Sequence, residues 1–207
     1  MATPLTTTLH GSCYCKRNTY TITPGPFEFA PGDPYKDFGP PPYVYYDHCS
    51  DCRKLQSSLL LGWIRAPRSW YTHTTHPRST SETDQEIFKL LVSSSSSPSS
   101  PSSSDITGPT RNFCGFCGTH LLFLGSSCRR DGWVEIPLGS LDDGSLEMLE
   151  GMGLKPDFHT WWRSAIGWVK RDLVEGRAKG EGKCWRGEVE EGVEGEGLEA
   201  VPEGFRE

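Results

Sequence analysis

A mainly β fold, rich in turns, is what this chain of 207 residues predicts. Its β-branched, Leu and aromatic residues fall in short runs, each bounded by Gly, Pro or Ser. Gly and Pro number 23 and 16, and the mean hydropathy of -0.51 is negative, so much of the chain must be turn or irregular. Six of the eight cysteines stand in close pairs, spaced to bind metal rather than to form bridges.

In chain order, strands are expected at Thr19–Thr23, Leu59–Ile64, Glu86–Leu91, His120–Leu124 and Trp133–Pro137. Helical turns are suggested only by Ser140–Glu150 and part of Trp161–Glu175, which favours a small sheet fold over a helical bundle. Between the first two strands, Pro24–Pro42 carries seven prolines with Phe27, Phe29, Tyr35 and Phe38. Such a segment cannot supply a ladder of N–H donors, so it is an irregular loop whose aromatics cover a core or wall a pocket. Ser93–Ser104 holds ten Ser and two Pro. With nothing to bury, it reads as a disordered insertion over about 93–109 that does not divide the domain. The domain spans 7–175, after a short N-terminal tail at 1–6.

The net charge of -6 is uneven. From Glu175 onward there are ten acids against five bases, which leaves 17 acids and 16 bases for the rest of the chain. Residues 176–207 repeat Gly and Glu and read as a disordered acidic tail, with an interaction role as the functional alternative. The acidic balance argues against a nucleic-acid or membrane-surface partner. No apolar run reaches the ~18 residues of a membrane helix, and the start lacks the basic and apolar regions of a secretory signal. A cytoplasmic location is the expectation.

The pairs are Cys13-Tyr-Cys15, Cys49-Ser-Asp-Cys52 and Cys114-Gly-Phe-Cys117. In a reducing compartment such pairs bind metal or do redox chemistry. Two thiolates on one turn chelate a tetrahedral Zn²⁺ at ~2.3 Å, and a second pair completes the tetrahedron. Gly115 and Gly118 follow Cys114 and Cys117, and each is expected to let the backbone adopt a positive φ and turn its amides toward sulfur. A redox pair competes at any single CxxC, but no β-α-β pattern of the thioredoxin kind surrounds either one. Cys128 and Cys184 stand alone and read as thiols without a metal role.

The ordered set Gly11-Ser-Cys-Tyr-Cys15, then Asp47-His-Cys-Ser-Asp-Cys-Arg-Lys54, then Arg111-Asn-Phe-Cys-Gly-Phe-Cys-Gly118 resembles the glutathione-dependent formaldehyde-activating enzyme family, also called the centromere protein V/GFA domain. Trp63-Ile-Arg-Ala-Pro67, Leu141-Asp-Asp143 and Pro156-Asp-Phe-His159 extend the resemblance over roughly 7–170. It implies an Mss4-like fold of small antiparallel sheets assembled around zinc. It also implies a structural Zn²⁺ on Cys13, Cys15, Cys114 and Cys117. Four thiolates leave no open position, so that ion stabilises rather than catalyses.

The family's second zinc uses a C-x-C-x-x-C run with one coordination position open for a thiol substrate. Here Asp47 replaces the first of those cysteines, ahead of Cys49 and Cys52. Three outcomes stand open. Asp47 ligates through oxygen and hardens the metal as a Lewis acid; His48 ligates with Asp47 behind it; or the second site is lost and Asp47 is solvated. A working site implies a carbon–sulfur lyase, in which glutathione or a like thiol adds to formaldehyde or another aldehyde, and the adduct is cleaved in reverse. Arg53 and Lys54 would then contact the carboxylates of the thiol substrate, or be solvated cations. The rival class is a non-catalytic zinc-stabilised binding module with a degenerate second site. His10 and His120 read as strand residues, His159 as a structural hydrogen-bonding group or a pocket residue, and Trp161-Trp162 as core or pocket wall.

Overall fold

The structure, a computed structural model, describes residues 7–29, 31–33, 35–92, 108–125, 132–156, 158–176, 183–184 and 199–200. They are mainly β, as the sequence predicts. The expected Ser-rich insertion and most of the acidic tail lie outside the described residues, as does Cys128. The chain divides into two compact units, each built from separated segments: 1–43 with 64–153, and 44–63 with 154–207.

The first unit holds two sheets. One is three-stranded, in the order β1 (Leu9–Ser12), β2 (Asn18–Ile22), β5 (Tyr71–Thr75), all antiparallel. Alternation is visible in β2, where Asn18, Tyr20 and Ile22 are buried while Thr19 and Thr21 are half-buried. The other runs β4 (Leu61–Pro67, of which residues 64–67 belong to this unit), β9 (Trp133–Pro137), β8 (His120–Leu124), β7 (Thr110–Cys114), β6 (Phe88–Val92). All five residues of β9 are buried, with Trp133, Val134 and Ile136 in the core beside Ile64 and Ala66 of β4.

Strands β8 and β9 lie where the sequence places them; β2 and β4 are shifted by one and by two to three residues. The strand expected at Glu86–Leu91 is corrected: its first residues form a one-turn helix, α2 (Asp84–Ile87). The cause is a capping box, in which Thr83 Oγ1 accepts the Glu86 amide while Glu86 accepts the Thr83 amide. A longer helix, α3 (Asp143–Gly151), lies within the expected helical stretch except for its last residue.

The Pro-rich segment remains irregular apart from one 3₁₀ turn at Lys36–Phe38. Its aromatics cover the core: Phe27, Phe29 and Tyr35, joined by Tyr43 just after the segment, gather around Trp133 at centroid distances of 4.9 to 6.5 Å. Beneath them lies a buried ion pair, with Arg65 Nη1 donating to Glu135 Oε1 at 3.1 Å and to the Tyr35 hydroxyl at 2.7 Å. The guanidinium carbon sits 3.8 Å from the Tyr35 ring centroid.

The second unit is built on β3 (Tyr43–Asp47), whose Tyr46 and Asp47 pair in parallel with His159 and Thr160 of β10 (Phe158–Thr160). In the tail, β11 (Lys183–Cys184) pairs with β10 and with β12 (Glu199–Ala200). Two helices complete the unit: α1 (Ser50–Gln56) and α4 (Gly167–Gly176). Tyr45 stacks on Phe158 at 5.1 Å, and Trp63 is buried.

Removing Glu135 strands the Arg65 charge in the core. Glu135→Ala should therefore lower the unfolding free energy by about 3–5 kcal/mol, measured by urea denaturation. A loss below about 1 kcal/mol would show that solvent reaches the pair.

Candidate metal centre and thiol pair

Two hairpin-like turns of the first unit bring four sulfurs together. Cys13 and Cys15 sit on the turn between β1 and β2, where Lys16 takes a positive φ of 59° and its amide bonds the Cys13 carbonyl at 2.9 Å. Cys114 closes β7, and Cys117 lies on the turn into β8, closed by the Gly118 amide on the Cys114 carbonyl. Gly118 has φ +75°, as its place after the last cysteine predicts. Gly115 is required for a different reason: a Cβ there would stand 1.9 Å from the Glu86 carbonyl oxygen.

The ligand atoms of Cys13, Cys15, Cys114 and Cys117 all lie within 4.8 Å of one another. Sulfur separations of 3.6 Å are found for Cys13–Cys15 and for Cys15–Cys114. A tetrahedron with ~2.3 Å Zn–S bonds has edges of ~3.8 Å, so the set fits a four-thiolate ion such as zinc. Cys13 and Cys114 are buried and the other two half-buried.

The acidities of these thiols diverge. Burial drives Cys114 up to about 12. Burial opposes ionisation of Cys117 too, but the Thr119 hydroxyl, 3.3 Å from its sulfur, and nearby amides bring it down to about 6. Cys15 is also lowered, with burial outweighed by the Arg17 amide and the neighbouring thiols. Four adjacent sulfurs cannot all carry charge alone; a bound dication reverses that and releases the protons.

Sequence reasoning missed the surroundings of these ligands. The Asn18 amide hydrogen points to Cys13 Sγ at 3.3 Å, and its side-chain Nδ2 lies 3.6 Å from the same sulfur. Thr119 accepts the Tyr14 amide at 3.1 Å. Thr119 was legible as a hydroxyl beside the last cysteine, whereas only the tertiary fold reveals that Asn18 is buried.

The second unit holds the other pair. Cys49 is the N-cap of α1, and Cys52 lies in its first turns, buried. The helix itself was not expected. Asp51 in its first turn and Arg53 and Lys54 near its end suit the helix dipole. A hydrogen bond with Cys52 is the main reason that the half-buried Cys49 thiol falls to about 6, against burial and the Asp47 charge.

Asp47 is not solvated; it is 5% exposed. Its Oδ1 accepts the Cys49 amide at 2.8 Å, and its Oδ2 accepts Trp63 Nε1 at 3.0 Å. Both oxygens are thus engaged. Among the described residues, the four-thiol set is the one group of three or more ligand-type side chains with this close spacing. His48 is engaged too: its Nε2 is 2.8 Å from Nδ1 of His159, both rings buried, with Trp162 edge-on to each. His159 therefore makes a structural hydrogen bond. Arg53 is half-buried, and its Nε is buried without a hydrogen-bond partner; Lys54 is exposed. His10 is an exposed residue of β1 and His120 a half-buried one of β8, where burial keeps the imidazole neutral with a pKa of about 4.

No family model matches the chain, and no curated protein matches it. Among solved structures, a Rhodobacter sphaeroides protein determined as a structural-genomics target aligns over 65% of this chain and 89% of its own, at 16% identity and a TM-score of 0.39. A likeness at that level carries no argument about fold or activity. No described helix is long and apolar enough to cross a membrane.

A metal held by all four sulfurs makes each of them necessary. Cys114→Ser should reduce the metal content by about one ion per chain, read by atomic emission, and lower the melting temperature. Unchanged content would place the metal elsewhere.

Proposed function

We propose that this protein is a zinc-stabilised carbon–sulfur lyase acting on a thiol–aldehyde adduct of the glutathione type, with Zn²⁺ on the four-thiol site. The observation that carries the reading is Cys49: half-buried at the start of α1, hydrogen-bonded with Cys52, and ionised near neutral pH. The sequence resemblance supplies the substrate class. The four-thiol ion holds the first unit together and takes no part in the reaction.

The chemistry needs one group that moves a proton between oxygen and sulfur. In an adduct R–S–CH₂–OH, the Cys49 thiolate takes the hydroxyl proton, the oxygen electron pair becomes the carbonyl bond, and the carbon–sulfur bond breaks. The departing sulfur leaves with the bonding pair and recovers the proton from Cys49, giving thiol and aldehyde. The reverse sequence forms the adduct. A group with a pKa of about 6 suits both directions near neutral pH. Asp47 holds the Cys49 amide, and through it the start of α1, in place. Arg53, with an unused buried donor at Nε, and exposed Lys54 would bind the thiol's carboxylates. No step is routed through a second metal.

One observation favours a second reading, a non-catalytic zinc-stabilised module: both Asp47 oxygens serve the fold rather than a ligand. Formaldehyde release from S-hydroxymethylglutathione separates the two. The lyase reading expects Cys49→Ser to lose at least ~100-fold in rate. It also expects the parent rate to rise with pH through a midpoint of about 6 and then level, since the thiolate is the active form above that value. Release by the parent no faster than by Cys49→Ser would establish the module instead.

A further inference from the structure

We infer that Asn18 is the positioning residue of the four-thiol centre: its side-chain amide clasps the two cysteine turns together and sets the donor strength of Cys13. The inference rests on these thiols binding metal, but not on the lyase reading.

Asn18 opens β2 and is 0% exposed. A buried carboxamide has two donors and an acceptor to satisfy, and here each has a partner. One Nδ2 hydrogen is directed to Cys13 Sγ at 3.6 Å, on the first cysteine turn. The other goes to the Ile87 carbonyl oxygen at 3.1 Å. That same carbonyl accepts the amide of Gly115, on the second cysteine turn, at 3.0 Å. The acceptor Oδ1 receives His73 Nε2–H at 3.0 Å, from β5. His73 is held in turn by its ring, stacked on Phe88 of β6 with centroids 3.9 Å apart.

The consequence is a short path, Cys13–Asn18–Ile87–Gly115, that links the two turns through hydrogen bonds without any metal. The backbone amide of Asn18 adds a second donor to Cys13 Sγ at 3.3 Å. Donors on a thiolate withdraw electron density from sulfur and fix its lone-pair direction, so they tune a bound ion as outer-shell partners do elsewhere. Filling space would not need this pattern: an apolar side chain of similar size would fill the position but make none of these hydrogen bonds, and would leave His73 Nε2–H without its acceptor.

Titration of the metal-stripped, reduced protein with Co²⁺ tests the inference, because cobalt reports both affinity and sulfur donation in its absorption spectrum. For Asn18→Ala, Co²⁺ binding is expected to weaken about 10- to 100-fold. The sulfur-to-cobalt charge-transfer band should move to longer wavelength, while the ligand-field bands keep their four-thiolate form. His73→Phe keeps the ring stack but removes the donor to Oδ1; it should shift affinity in the same direction by less, and His73→Gln should restore it. If Asn18→Ala fails to fold, the His73 pair decides. Affinity and band position within about twofold and unshifted in Asn18→Ala, or in His73→Phe where that pair decides, would overturn the inference. A parent that binds no Co²⁺ would overturn the metal reading beneath it.

Discussion

Crowding of sulfur is the constraint on which the first unit depends. Cys15 and Cys114 are 99 residues apart in sequence, yet their sulfurs approach to 3.6 Å. One pair hangs on the three-stranded sheet and the other on the β7–β8 turn of the larger sheet, so whatever satisfies these sulfurs also ties the sheets together. Neutral thiols at that distance gain only weak S–H contacts. Thiolates repel one another unless a cation lies between them, and burial opposes charge on Cys15, Cys114 and Cys117 alike. A dication removes that repulsion, and much of the binding energy then becomes folding energy.

Asp47 illustrates how one side chain sets what a neighbourhood can do. A cysteine at that position would offer one soft sulfur and accept hydrogen bonds poorly. A carboxylate offers two oxygens, and each has found a donor, one from the α1 entry and one from a buried indole. Freeing either oxygen for a metal would leave a buried N–H without its partner. In the thiol pair beyond it, the ionisation of Cys49 is set mainly by its hydrogen bond with Cys52.

Much of the first unit was legible in the sequence. Strands His120–Leu124 and Trp133–Pro137 are long enough, apolar enough and sharply enough bounded to be read directly. The cysteine turns were legible because ligand spacing and Gly118 are local properties. Other strands were not: Leu9–Ser12, Tyr71–Thr75, Thr110–Cys114 and, in the second unit, Phe158–Thr160 carry Gly, Thr, His or Arg at positions that only cross-strand partners make favourable. Tyr43–Asp47, strongly β in composition, was masked by the prolines before it. The Thr83–Glu86 box was written in the sequence and outvoted by the apolar run after it. Neither the burial of Asn18 nor the partners of Asp47 and His48 could be read, since each contact joins residues from different elements.

The interleaved order of the chain bears on synthesis. Strand β3 and the Cys49–Cys52 pair emerge early, but the residues that pair with β3, His159 and Thr160, lie 113 positions beyond their partners. Until the ribosome has made them, the sulfurs at the start of α1 have no completed sheet behind them, whereas all four cysteines that could hold a metal have already been produced. Assembly of the four-thiol set can thus precede completion of the thiol pair's surroundings. A nascent chain stopped short of residue 158 would hold all four clustered thiols and still lack the β10 partner of the strand that leads into the Cys49–Cys52 pair.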